Sequence, residues 1–440
     1  MLWSRLYLAA VLTIVHVTSA SPTPHEDGKI SNVPLPVEKV ATSHLVVAEN
    51  VLPLLRRRNG LAAKGSAVLQ NASDASQNIT PILPVHNGLI YAINISFGGE
   101  SFEVMLDTGS SDLWLPSRGV KCLGDDGART ACNFGPLADP GFQDGGIANE
   151  TFEIHFADHT STSGVLGYKD VGIGATTVRH QKVGIVDRAH FDGEKVTSGL
   201  IGFGYPSHTS AYTLDGVRAP YNNWLFNAID QKLIDPVFSL SVQRGVDGGQ
   251  LALGGLPPSA SGHIFASTPI LKANSILVDL PDLSLANRGP GNYSSYSRYA
   301  IVPNGYSLDG KHHASTSQML VDSGATLMHM PLEMALAVNN AFQPPAKDDA
   351  DYNTFLVRCN AKPPSFAINI GGTSFHIKAE DMILSRSAAR HGEDLPKGHC
   401  ISSVQASNSS MYALGDTFLK NVIAVFDIGQ GQMHFAPHDY

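Results

Sequence analysis

Val104-Met105-Leu106-Asp107-Thr108-Gly109-Ser110-Ser111 returns 215 positions later as Met319-Leu320-Val321-Asp322-Ser323-Gly324-Ala325-Thr326. Each copy runs three apolar residues into an aspartate, a hydroxyl residue and a glycine. An apolar residue follows six places after each Asp (Leu113, Met328), and a proline nine places after (Pro116, Pro331). The echo continues further on: Leu200-Ile201-Gly202 lies 95 residues past the first Asp, and Ala413-Leu414-Gly415 lies 93 past the second, counted to the final glycines. An isolated Asp-Thr-Gly marks a turn. Here the preceding apolar residues put each Asp at the end of a buried strand, where a lone carboxylate is costly. Two related lobes that bring these loops together would give a pair of carboxylates sharing one proton, because like charges a few ångströms apart do not both ionise. One can then act as general base on a water while its protonated partner polarises a carbonyl.

Composition sets the frame. The 440 residues are 43% hydrophobic and 16% charged, with 42 Gly and 26 Pro, which suits a turn-rich globular chain long enough for two cores. A formal charge of −9 and the lack of a basic cluster beyond Arg56-Arg57-Arg58 argue against nucleic-acid binding. Short β-rich runs ending in Gly or Asp turns, such as Leu89 to Phe97, Phe238 to Val242 and Leu251 to Leu253, predict a mostly β fold in two β-rich lobes, with a join near residue 240. Helical patterns are few: Trp224 to Leu233, Leu332 to Phe342 and Thr417 to Asn421. Residues 273–297 read as a surface insertion.

The N-terminus reads as an export signal over residues 1–20: Arg5, an apolar run from Leu6 to Val17, then small residues at Thr18-Ser19-Ala20. The run is too short for a membrane span, which takes roughly 20 residues. Residues 21–58 read as a leader ending in the tribasic run, a processing site or a solvated charge run. The N-terminal lobe is then 59–240 and the C-terminal lobe 241–440. Four Cys allow three pairings; one pair per lobe, Cys122 with Cys132 and Cys359 with Cys400, is the simplest in an oxidising compartment. Neither their spacing nor any neighbouring His suits zinc, and no metal or cofactor is expected. Asn-x-Ser/Thr sequons stand at Asn71, Asn78, Asn94, Asn149, Asn292 and Asn408.

Together these residues resemble the pepsin-like aspartic endopeptidases in their fungal secreted form, over about residues 85–440. The resemblance rests on Asp107 to Trp114, Asp322-Ser323-Gly324, Gly199-Leu200-Ile201-Gly202, Phe238-Ser239-Leu240, Leu253-Gly254-Gly255, and Leu414 to Leu419 with Val425-Phe426-Asp427. It implies a bilobal acid-protease fold of two related β-rich lobes, with Asp107 and Asp322 holding the lytic water in the cleft between them. It further implies that Thr108 and Ser323 grip across the lobes, with Gly109 and Gly324 beside them, and that Ser110 bonds the outer oxygen of Asp107. A flap hairpin is implied over Phe156-Ala157-Asp158, with Phe156 where the family usually carries a tyrosine that bonds the indole matched by Trp114. Asp158 matches an acidic flap position associated with Lys before the cut, and is equally a turn residue. His159 replaces a usual glycine and reads first as a solvated loop residue. Ala325 stands where Ser or Thr commonly bonds the second carboxylate, which should leave Asp322 holding the proton. Met105, Phe191, Leu200 and Phe203 are candidate pocket residues or core. The expected activity is hydrolysis of polypeptides between bulky apolar residues at acidic pH, by a secreted (alternatively vacuolar) monomer that binds neither nucleic acid nor membrane. A pepsin-fold binding or inhibitor protein is the alternative.

Overall fold

Each aspartate ends a strand that runs parallel to the later segment singled out by the spacing. Strand Glu100–Asp107 pairs with Leu200–Gly202, setting Asp107 beside Gly202, and Leu113–Leu123 pairs with the other edge of that short strand. In the second copy Met319–Val321 runs parallel to Tyr412–Leu414, and Met328–Met330 flanks it on the opposite side. The aspartate loop therefore passes across the end of the later strand in both cases. That close passage explains the glycines. A Cβ on Gly202 would lie 2.5 Å from the Ser111 nitrogen, and one on Gly415 would overlap the carbonyls of Ala325 and Leu327.

The structure, a computed structural model, describes residues 44–54, 91–124, 126–156, 160–190, 197–244, 248–260, 262–276, 293–350, 354–385, 395–407 and 412–438. Its architecture is mostly β and bilobal. A nine-stranded sheet carries the first aspartate, and sheets of five, four and four strands build the second half. A six-stranded sheet draws on both ends of the chain. Strand Val237–Val242, at the join read from sequence, lies inside it between Gly249–Leu253 and Val422–Asp427. Residues from Lys39 onward form one compact unit.

One apolar core runs from the first lobe through this sheet into the second. The rings of Phe238 and Phe426 stack with centroids 4.3 Å apart, and Phe203 stacks on Trp224 at 6.1 Å. The expected helices appear at Trp224–Asp230, Leu332–Asn340 and Asp416–Leu419. Asn223 caps the first by accepting the Phe226 N–H at 3.1 Å, which satisfies one of the donors a helix start leaves unpaired. The cysteines pair as Cys122–Cys132 and Cys359–Cys400.

Two readings of the sequence need adjusting. The segment 273–297 is not all surface: Tyr296 stacks on Tyr205 at 5.5 Å, Tyr293 meets Phe226 edge-on, and Ser297 is buried. Part of the segment read as a leader is a strand. Asn50–Leu54 pairs antiparallel with Gly249–Leu253 at the edge of the six-stranded sheet, and Leu52 is wholly buried. Just before it, Ala48 N–H donates to Leu256 O and Leu256 N–H to Val46 O, both at 2.9 Å. The mostly apolar run from Leu45 to Leu54 is what this pairing buries in part. Residues 1–43, the tribasic run Arg56-Arg57-Arg58, Asn71, Asn78, Asn292 and Asn408 lie outside the described residues. Of the remaining sequons, Asn149 is exposed and Asn94 half-buried in its strand.

Candidate active site

Four hydrogen bonds tie the two aspartate loops together. Thr108 N–H donates to Ser323 Oγ at 3.1 Å, and Ser323 N–H donates to Thr108 Oγ1 at 3.0 Å. Each hydroxyl then donates onward to the opposite strand: Thr108 Oγ1 to Val321 O and Ser323 Oγ to Leu106 O, both at 2.9 Å. Both side chains are buried, so each hydroxyl has its donor and acceptor capacity met inside the protein. The hydroxyl residue after each Asp is thus accounted for by the partner loop.

The grip carries the carboxylates toward each other. A Cβ on Gly109 would overlap the carboxylate of Asp322, and one on Gly324 would overlap that of Asp107. Each glycine therefore floors the opposite aspartate, and any side chain there would occupy the carboxylate's place. Asp107 receives the Gly109 N–H on Oδ1 at 2.7 Å and the Ser110 hydroxyl on Oδ2 at 2.5 Å. Asp322 receives the Gly324 N–H at 2.8 Å, with Ala325 in place of the second donor. Burial pushes the Asp322 carboxyl up; the charge of Asp107 and a hydrogen bond with it push further. The Gly324 N–H and Arg298 offset part of this, leaving Asp322 at about 7. A carboxyl raised by burial and a like charge keeps its proton where its neighbour is ionised.

Arg298 escaped the sequence reading. Its guanidinium donates toward Gly109 O at 3.4 Å and lies 3.5 Å from His208 Nδ1. Burial lowers its pKa, and the charges of Asp322 and Asp107 pull it back up. An arginine so placed stays protonated and supplies positive potential behind the pair. His208 is held well below its usual range, first by burial and then by Arg298 and Arg218, so it is neutral. An Arg between the segment read as an insertion and Tyr299 gave no signal of its own.

Asp112, part of the first motif, is structural. It accepts the Tyr221 hydroxyl at 2.6 Å and the Ser210 N–H on both oxygens, at 2.9 and 3.0 Å. The segment read as a flap lies on a hairpin of Glu150–His155 and Ser161–Ile173, closed by Phe156 N–H to Thr160 O at 2.8 Å. Ala157, Asp158 and His159 at its tip lie outside the described residues, as does Phe191. Phe156 and Met105 are half-buried against the second apolar cluster, which contains Trp114 and Leu200. Leu200 and Phe203 are fully packed, so they are core rather than pocket wall.

Residues 90–438 match the family of eukaryotic aspartyl proteases. The chain is 35% identical over 402 residues to a probable aspartic-type endopeptidase of Aspergillus fumigatus, an alignment covering 88% of this chain and 87% of that one. It is 27% identical over 371 residues to rhizopuspepsin of Rhizopus chinensis, covering 83% and 82% of the two chains. The crystal structure of the aspartic proteinase from Irpex lacteus superposes with a TM-score of 0.59 at 17% identity, over 79% of this chain and 94% of that one, which shows the shared fold.

Proposed function

Given that this chain belongs to the eukaryotic aspartyl proteases and is an aspartic endopeptidase, we propose that Asp107 and Asp322 together activate the water that cleaves its polypeptide substrates. The observation that carries this is the reciprocal seating of each carboxylate over the other loop's glycine, with unequal donors on the two sides. Ionised Asp107 takes a proton from water as the water oxygen attacks the peptide carbonyl carbon, and Asp322 gives its proton to the carbonyl oxygen. The tetrahedral diol then collapses. Asp107 passes its proton to the departing nitrogen, the C–N bond breaks, and one diol hydroxyl returns a proton to Asp322. Both carboxyls end as they began, and no bond to the enzyme forms. A shared proton on the pair is the established behaviour of this enzyme class.

Acidic working pH follows from the same arrangement. Above about 7 Asp322 loses its proton, both carboxylates are charged, and the acid for the carbonyl is gone. Preference for bulky apolar residues beside the cut is supported by the ring of Phe156, which packs with Met105 against the cluster holding Trp114. The chain is proposed to be secreted as a monomeric zymogen and processed at Arg56-Arg57-Arg58, with Asn149 the best exposed of the described sequons. Support for export comes from the apolar N-terminus and the two disulfides. Among the described residues no helix is long and apolar enough to cross a membrane.

A binding or inhibitor role is disfavoured by the intact pair and its complete grip. Purified zymogen incubated in acid and then given casein at pH 2–6, with and without a statine-type inhibitor, separates the two. Digestion blocked by the inhibitor is expected; no cleavage across that range would overturn the proposal.

A further inference from the structure

Far from the cleft in sequence and in role, three side chains converge where the leader meets the last hairpin of the chain. Asp427 ends strand Val422–Asp427, and His434 lies on its partner Gln432–Pro437. His44 comes from the leader, six residues before the edge strand Asn50–Leu54. His44 Nε2 is 2.7 Å from Asp427 Oδ2, and His434 Nε2 is 3.5 Å from the same oxygen. The donor atoms of all three residues lie within 4.8 Å of one another.

The remaining polar atoms of the two buried residues are already engaged. His434 Nδ1 is 2.7 Å from Ser267 Oγ, and Asp427 Oδ1 accepts the Gln430 N–H at 2.9 Å. With Nδ1–H assigned as donor to Ser267, His434 presents the lone pair of Nε2 to the cluster. Outer hydrogen bonds of this kind orient the ligands of metal sites. His434 is 0% exposed, and its Nε2 faces Asp427 Oδ2 at 3.5 Å with no closer partner. A contact that long leaves a buried ring nitrogen only weakly satisfied. The two imidazoles meet at 62° with centroids 6.2 Å apart, so their nitrogens converge instead of the rings stacking. The His44 side chain is 41% exposed, which leaves one side of the cluster open to water.

We propose that His44, Asp427 and His434 form a binding site for a divalent transition-metal ion of the zinc type, which joins the leader to the C-terminal hairpin. Two imidazoles and one carboxylate with an open position suit such an ion. Bond lengths of about 2.0–2.2 Å place tetrahedral ligand atoms roughly 3.3 Å apart, and the observed 2.7 and 3.5 Å separations bracket that spacing. The site stands on these contacts alone. If the leader is also removed as proposed above, the mature chain keeps two of the three ligands and loses the third.

The test titrates Zn²⁺ into the full-length chain at pH 7.5 against a chromophoric chelator, with Co²⁺ absorption as the spectroscopic check. One ion per chain is expected, together with a rise in Tm of a few degrees. His44→Ala and His434→Gln should each weaken binding by about 100-fold or more, beyond the 10–100-fold typical of losing an outer partner. His434→Gln counts only if its circular dichroism matches the wild type; His44→Ala changes an exposed side chain and decides the matter otherwise. No saturable binding below about 100 μM, or equal affinity in wild type and His44→Ala, overturns the site. So does loss confined to one of two folded variants.

Discussion

The loops at Asp107 and Asp322 share a backbone and differ in one hydroxyl. In both, the residue after Asp grips the other loop, the next glycine floors the opposite carboxylate, and the third carbonyl after Asp receives an N–H from the neighbouring segment. That last bond is Gly204 N–H to Ser110 O at 2.7 Å in one copy, and Asp416 N–H to Ala325 O at 2.8 Å in the other. The side chain at this third position is where a hydroxyl is lost: Ser110 donates to Asp107, whereas Ala325 has nothing to give Asp322. The scaffold is kept symmetric to bring the carboxylates together. The donors are kept asymmetric, and that tells the carboxylates apart.

The most severe way to break this pairing is to remove a carboxylate. Asp107→Asn and Asp322→Asn should each cut kcat by about 10⁴-fold or more, with the double variant hardly worse because the two act as a unit. Additive losses, or retained activity in a correctly folded single variant, would sink the pair assignment. Next comes the grip. Thr108→Val and Ser323→Ala each strand buried partners, and each should lower stability by about 1–3 kcal/mol in urea unfolding. A clear difference between them would show that the loops do not contribute equally.

Stability against pH sharpens the contrast. The folded pKa of Asp322, about 7, lies above its ordinary 3.8. Between these values the folded state keeps a proton that the unfolded chain has released. Its contribution is therefore full below pH 3.8 and lost as pH rises through 7, up to about 4 kcal/mol. Urea unfolding of Asp322→Asn should show a flatter profile over that window; an unchanged slope would assign the loss to other groups. Ala325→Ser supplies the missing donor and should move the alkaline limb of kcat/KM down by about one pH unit, since a bond to the ionised form is worth about 1.5 kcal/mol. A limb that stays put means the hydroxyl does not reach Asp322. The smallest effect is expected at the flap. Phe156→Tyr adds a hydroxyl near Trp114 and should raise turnover severalfold, in keeping with about 0.5–1.5 kcal/mol for a net hydrogen bond. No gain would remove the flap from the account.

The parts legible in the sequence are those the repeat writes twice. Thr108, Ser323, Gly109 and Gly324 follow from the motif because each loop supplies what the other needs, and Gly202 and Gly415 follow from their spacing to the two Asp. Arg298 was not legible, since it has no counterpart in the repeat and acts through space on residues far along the chain. The leader strand was hidden by a different cause: its apolar run is broken by Glu49, Asn50 and Pro53, and only pairing with Gly249–Leu253 gives it a partner. The cluster of His44, Asp427 and His434 spans up to 390 positions, and no local pattern connects them.

The reciprocal grip also has a consequence in time. Its two halves are 215 residues apart, and the strand Tyr412–Leu414 that supports the second loop comes later still. At a synthesis rate of about 5–20 residues per second, roughly 10–40 s separate the two aspartates as they are made. During that interval the growing chain carries one carboxylate with no partner, no shared proton and no floor beneath it. On the proposed assignment, an unfinished protease of this design is harmless to the machinery that makes it, because the means of cutting exists only once nearly the whole molecule does.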